Sequence, residues 1–148
     1  MLVAEGGVPG GYTLYIQHRK PVYEYNYFAH ERYKVTSSEM LSRGPAVIRV
    51  DFKYDGEGAG KGGTATLSIN DKKVGEGRIE KTCPSRFGPE TFDVGMDNGS
   101  PVSENYQPPF PYAGTLKKVE IHLSPSALST NDRNKVRVAA RRAAMGIE

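Results

Sequence analysis

Between Ala46 and Tyr54 the apolar residues Ile48, Val50, Phe52 and Tyr54 alternate with Arg49, Asp51 and Lys53. Successive side chains of a strand point to opposite faces, so this period of two predicts a strand with one face buried. The same alternation recurs along the chain. Ala65, Leu67 and Ile69 alternate with Thr64, Thr66 and Ser68, and Val119, Ile121 and Leu123 alternate with Lys118, Glu120 and His122. Near the start, Tyr12, Leu14 and Ile16 form one face and Tyr23, Tyr25 and Tyr27 another, while Thr91 to Gly95 is a shorter candidate. Short strands at this spacing predict an antiparallel sandwich or barrel and exclude repeated βαβ units.

Turn chemistry joins the strands. The HRKP sequence within Gln17–Pro21 predicts a short reversal, and Asn70-Asp71 tolerate the positive φ of a tight hairpin. Val74 and Ile79 fall on opposite parities, as do Leu116 and Val119, and Gly75 and Gly77 suggest a bulge behind the first slip. The 17 glycines and 10 prolines occur in short clusters, as a turn-rich chain requires. From Met96 to Tyr112 the alternation lapses and four prolines appear, which predicts a long ordered loop packed against something. After Pro125, Ser129 to Asp132 can cap a helix over Arg133 to Met145, ending at Gly146. Val136, Ala139, Ala140 and Ala143 can share one face of it, with Arg133, Arg137, Arg141 and Arg142 mostly elsewhere. The division expected is a β-sandwich domain over residues 1–123 and an extension with a basic helix over 124–148.

Composition restricts the classes of function. A chain of 148 residues buries one core. Its net charge of +3 is small and comes mostly from the last segment, so no nucleic-acid partner is expected. Cys83 is the sole cysteine, which excludes an internal disulfide framework. The opening MLVAEGGVPGG lacks a basic start and a long apolar stretch, so the chain as written is expected to be cytoplasmic, with no membrane partner.

Several fragments look chemical. Gly58, Gly60 and Gly63 have the G-x-G-x-x-G spacing, but a dinucleotide site needs that loop to open a helix, whereas here it runs into TATLSIN, a strand. Lys61 is followed by Gly62 and not by the Ser or Thr of a phosphate-binding loop. Cys83-Pro84-Ser85-Arg86 is one residue short of the Cys-x-Pro-x-Arg pattern that sulfatases convert to formylglycine, and reads as a loop cysteine. His18, His30 and His122 have no metal-ligand spacing. Asp93, Asp97 and Asn98 beside Gly99 offer hard oxygen ligands for calcium, although a side-chain-stabilised turn is the commoner use of such residues. No acidic pair has the spacing of a glycosidase, and Glu24 faces away from the tyrosines of its own strand. Tyr23, Tyr25 and Tyr27 would stack on sugars if exposed, but read first as core. The basic tail from Arg133 to Arg142 reads as a solvated helix face. No catalytic, cofactor-binding or metal site is therefore assigned, no cofactor is expected, and the chain alone is read as no enzyme.

One resemblance rests on whole blocks of residues. The runs GGYTLYIQHRKPVYEYNYF, ERYKVTSS, DFKYDGEGAGKGGTATLSINDKKVGEGRI and ETFDVGMDNGSPVSENYQPPFPYAGTLKKVEIHL lie, in order and spacing, within Leu2 to Leu123, the stretch that the likeness spans. Through them, and most specifically through KGGTATL, KKVGEGRI, TFDVG-x-D-x-G-x-PV and F-P-Y-x-GTLKKV, the chain resembles the C-terminal domain of bacterial arylsulfatases. The resemblance implies a β-sandwich of the jelly-roll, concanavalin-like or laminin-G-like type. It also implies a non-catalytic accessory role beside a sulfatase catalytic domain, the formylglycine and metal site belonging to that other domain. A lectin-like module binding a carbohydrate or sulfated ligand through the jelly-roll surface or the Asp97–Tyr112 loop is the alternative. Such domains usually start one or two strands earlier, so a missing strand is expected to expose a sheet edge. Self-association through that edge, or through the C-terminal helix, follows.

Overall fold

The computed structural model describes residues 1–125 and 129–144. Strands β1 (Val3–Gly7), β2 (Gly10–Gln17), β3 (Lys20–Tyr27) and β4 (Glu31–Thr36) form an antiparallel meander, and β5 (Ile48–Tyr54), β6 (Gly63–Ile69) and β7 (Lys72–Ile79) form a second one. The chain then returns as β8 (Phe92–Val94), which pairs with β1. The sheets are therefore ordered β4-β3-β2-β1-β8 and β5-β6-β7. A short ladder joins β9 (Met96–Asp97) to β10 (Phe110–Pro111), and helix α1 spans Thr130–Ala144.

Two of the tight turns follow from the residues named above. His18-Arg19 and Asn70-Asp71 each hold two consecutive positive φ values, 50° and 64° in the first and 48° and 65° in the second. That is the backbone of the hairpin turn whose twist matches its strands. The turn after β3 has the same backbone at Phe28 and Ala29 (φ 50° and 59°), residues with no preference for it. Asn26 supplies the missing support, its Oδ1 accepting from the Ala29 N–H at 2.8 Å.

The two sheets pack face to face. Tyr23, Tyr25 and Val35 from the first meet Ala65, Leu67, Val74 and Ile79 from the second, with Tyr12, Leu14, Ile48, Val50 and Phe87 at the margin. The tyrosine face of β3 is thus core. The phase slip in β7 is a bulge: Leu67 pairs with Gly75 and Ser68 with Lys73, leaving Val74 as the extra residue. This lets Val74 and Ile79, of opposite parity, both reach the interior.

A second cluster lies on the other face of the first sheet, where Met1, Ala4, Tyr15 and Val22 pack with Val102, Tyr106 and Phe110 of the long loop. Strand β3 is accordingly buried on both faces from Pro21 to Asn26. The loop from Met96 to Tyr112 is ordered and packed, as expected, and forms a partial third layer.

The observed strands differ from those expected in three places, and β4 (Glu31–Thr36) is one that no expected strand covered. Strand β1 was not foreseen, because Val3–Gly7 is short and ends in two glycines. Gly6 has φ +83°, and a Cβ there would lie 2.1 Å from the Gly10 carbonyl oxygen, so glycine is needed where β1 turns into β2. Conversely, the strand expected over Lys118–Leu123 does not form. Its alternation is present, but among the described residues it pairs with no strand. Thr130 follows the capping residue Ser129, whose Oγ accepts from the Asp132 N–H at 3.1 Å while donating to the Asp132 carboxylate at 2.7 Å. The apolar face expected on Val136, Ala139, Ala140 and Ala143, the Arg142 side chain and the stop at Met145-Gly146 lie outside the described residues.

Candidate functional site

The densest polar chemistry lies between the first sheet and the long loop. Alternation on β3 sends Val22, Glu24 and Asn26 to the face opposite the tyrosines. Pairing places Thr13 and Lys34 directly across from Glu24 on the neighbouring strands, with Tyr15 one step along the diagonal. Glu24 is only 1 % exposed. Its Oε2 accepts from Ser103 Oγ at 2.6 Å, from the Tyr15 hydroxyl at 3.1 Å and from Asn105 Nδ2 at 3.3 Å. Lys34 Nζ stands 3.8 Å away. Ser103 Oγ also accepts from the Asn105 backbone N–H at 3.1 Å, so the carboxylate fixes the turn that delivers its own donors.

A parallel arrangement surrounds Asp97, which is 2 % exposed. The Tyr106 hydroxyl donates to Asp97 Oδ2 at 2.7 Å and lies 3.4 Å from the Thr13 hydroxyl, which in turn donates to the Val3 carbonyl at 3.1 Å. Burial pushes the Asp97 carboxyl above the usual carboxylate range, against the Tyr106 hydrogen bond, with nearby Asp93 adding to the rise. Aromatic rings close the gap between the two carboxylates. Tyr106 stacks on Phe110 with centroids 4.5 Å apart, and Tyr15 meets Tyr106 edge-on at 5.4 Å. Burial pushes the Tyr15 hydroxyl up to about 12.

Asn26 completes the attachment. Its Nδ2 donates to the carbonyls of Gly7, Val8 and Val102, and Arg32 donates to the same Val102 carbonyl while pairing with Glu104 at 3.2 Å. Strand β3 thus holds the loop through two side chains of one face, Glu24 and Asn26. Both carboxylates are already engaged by neighbouring hydroxyls and face inward, which is the chemistry of a latch.

The remaining fragments are dispersed. Cys83 lies in the connection after β7, where its backbone N–H donates to the Tyr25 hydroxyl at 2.7 Å. Gly58 and Gly60 lie in the β5–β6 connection, gathered by Tyr54, whose hydroxyl donates to the Gly58 carbonyl at 2.6 Å and accepts from the Lys61 N–H at 2.8 Å. His18 and His30 occupy separate exposed turns, and His122 is exposed in the segment after the long loop. Asp93 accepts from the Asn98 N–H at 3.2 Å, so Asp93 and Asp97 are used separately. Among the described residues no three His, Cys, Asp or Glu side chains converge as metal ligands, and no helix is long and apolar enough to cross a membrane. A surface depression of about 300 Å³ is lined by Glu39, Met40, Pro45, Ile69, Asn70 and Lys72. It combines exposed charge with small apolar area.

Sequence reasoning did not find Thr13, Tyr15, Lys34, Ser103 or Asn105. Glu24 and Ser103 are 79 positions apart, so no local spacing joins them. The available signal was the lone Glu24 within a tyrosine strand, since a charge buried among aromatics needs partners. Comparisons with protein-family models, with curated proteins and with solved structures found no match.

Proposed function

We propose that this chain is a non-catalytic accessory β-sandwich domain, of the kind its resemblance to the C-terminal domain of arylsulfatases implies. The observation that carries the reading is the use of its two buried carboxylates. Glu24 is taken up by Ser103, Tyr15 and Asn105, and Asp97 by Tyr106. A general acid or base must have an open side toward the reacting atom. Glu24 instead fastens the loop to the sheet and Asp97 fixes the fold of that loop, which suits a rigid body that supports another domain.

The test is direct. Purified protein is assayed for hydrolysis of 4-nitrophenyl sulfate from mildly acidic to alkaline pH, with and without calcium. It is also mixed with a sulfatase catalytic domain stripped of its own C-terminal region. The expected outcome is no turnover by the chain alone and a concentration-dependent rise in the Tm of the mixture. Turnover by the chain alone would overturn the reading. So would an unchanged Tm together with calcium-dependent binding on a glycan array, the behaviour of a lectin-like module.

A further inference from the structure

Strand β5 is bonded on one side only. It pairs with β6, and among the described residues nothing pairs with its other edge. The polarity of that edge follows from two bonds, since Asn70 N–H donates to the Val47 carbonyl and Asp55 N–H to the Gly62 carbonyl. In an antiparallel ladder such pairs alternate along the strand. Odd-numbered residues from Val47 to Asp55 therefore bond toward β6, and the N–H and C=O groups of Ile48, Val50, Phe52 and Tyr54 point outward. These four side chains also sit on the core side of the sheet. Phe52 is nevertheless 40 % exposed, because no strand covers it beyond β5.

Elsewhere the same chain carries a strand pattern with no ladder. Val119, Ile121 and Leu123 are 38 %, 60 % and 88 % exposed, and Lys118–Leu123 makes no backbone–backbone hydrogen bond with any described residue. Its polar positions are Lys118, Glu120 and His122, the first two of opposite sign and paired with each other at 2.8 Å. The solvent face of β5 alternates with the same period through Arg49, Asp51, Lys53 and Asp55.

We infer that Lys118–Leu123 of one molecule adds as an antiparallel strand to the β5 edge of a second copy. The register that matches both faces sets Lys118 opposite Asp55, Glu120 opposite Lys53 and His122 opposite Asp51, where Asp55 is shared with Arg78 and Asp51 with Arg49. The same register sets Val119, Ile121 and Leu123 opposite Tyr54, Phe52 and Val50. Those are the β5 residues whose backbone groups face outward, so apolar burial and hydrogen bonding fall on the same pairs. Shifting by one residue sends the apolar side chains to the charged face. Shifting by two in one direction sets Glu120 opposite Asp51 and Lys118 opposite Lys53, and like charges directly opposite one another are destabilising. Each copy carries both halves, so a reciprocal exchange closes as a two-fold dimer, the arrangement proposed here. The pairing is independent of the accessory role, and its test reads oligomeric state, not catalysis or glycan binding.

Sedimentation equilibrium of the full chain from low to high micromolar concentration is expected to show a monomer–dimer equilibrium. Amide exchange at Val50, Phe52 and Tyr54 should slow as the dimer fills. Ile121→Pro removes a ladder N–H from a segment without backbone bonds of its own, so it should leave the Tm of the monomer unchanged. It should weaken the dimer at least about tenfold, a loss of one ladder bond and its neighbours. Lys53→Glu should weaken the dimer, and Lys53→Glu combined with Glu120→Lys should restore it. A monomer throughout the concentration range overturns the proposal. So does a dimer of unchanged strength in Ile121→Pro, which would use another surface such as α1, or protection of β5 that is independent of concentration, which would mean closure on its own edge.

Discussion

The Tyr106 hydroxyl donates to Asp97 Oδ2 at 2.7 Å, and both residues belong to the long loop and are buried where it packs on the first sheet. Burial holds the Asp97 carboxyl above its ordinary value despite this bond. A carboxyl whose folded pKa is raised keeps its proton longer in the folded protein than in the unfolded one. Its contribution is fully present below the unfolded value and is lost as pH rises through the folded value. Asp97→Asn retains an acceptor for Tyr106 and removes the ionisation. The variant should match or exceed the parent in unfolding free energy at neutral pH. The difference between them should shrink as pH falls toward the ordinary aspartate range, measured by urea unfolding at a series of pH values. A variant that is less stable by the same amount at every pH would contradict this account of Asp97.

Glu24 gives the complementary case, because three donors converge on one of its oxygens. Ser103→Ala removes the shortest of these bonds and also the acceptor for the Asn105 N–H. Loss of a partner that leaves buried polar groups unmet costs roughly 1 to 3 kcal/mol. Chemical unfolding should show a loss of that order. Amide exchange should quicken in the loop around Asn105 before it does in β6, since the loop loses its latch while the sheet-to-sheet core is untouched. Equal acceleration everywhere would mean that Glu24 supports the whole domain and not the loop.

The strands were legible wherever alternation was long enough and one face was buried, as in β5, β6 and the Tyr23–Tyr27 face of β3. The Asn70-Asp71 turn and the Val74 bulge were legible for a related reason, since both follow from residues adjacent in the chain. What escaped depends on contacts that no alternation or turn-residue signal announces. Strand β1 is recognisable only beside β2 and β8, and the Phe28-Ala29 turn only beside Asn26. The alternation of Val119, Ile121 and Leu123 predicted a strand that has no partner within the described residues, because period two reports which faces a segment can offer and not which neighbour meets them. For the same reason the two latches were invisible: Glu24 and Asp97 were each noticed, but their hydroxyl partners carry no pattern.

Gly63 tests the edge of the second sheet. Its Cα lies under the ring of Phe52, and an added Cβ would fall 2.3 Å from Phe52 Cζ and 2.7 Å from the Lys53 carbonyl oxygen. The ring can swing away, being half exposed, but the carbonyl belongs to the β5–β6 ladder and cannot. Gly63→Ala is therefore expected to cost about 1 to 3 kcal/mol, as overpacking in a fixed site does. Placing the same change in a Phe52→Leu background should recover only part of the loss. Full recovery would show that the ring alone, and not the backbone approach, makes glycine necessary at this position.

High pH should open the molecule through its tyrosines. Burial raises the hydroxyls of Tyr15 and Tyr25 to about 12, and pushes those of Tyr23 and Tyr106 up as well. The folded protein therefore holds protons that the unfolded chain releases near pH 10. Stability contributed by these groups is intact below that unfolded value and is lost as pH rises toward the folded ones. An ultraviolet titration should show the more exposed tyrosines ionising first, followed by a cooperative second rise that coincides with loss of the far-ultraviolet β signal. Tyr15→Phe removes one such group along with its bond to Glu24. That variant should be less stable at neutral pH yet lose less of its remaining stability on going to strongly alkaline pH. A second rise that precedes unfolding, with the sheet signal intact, would mean that the hydroxyls around Glu24 and Asp97 are open to solvent.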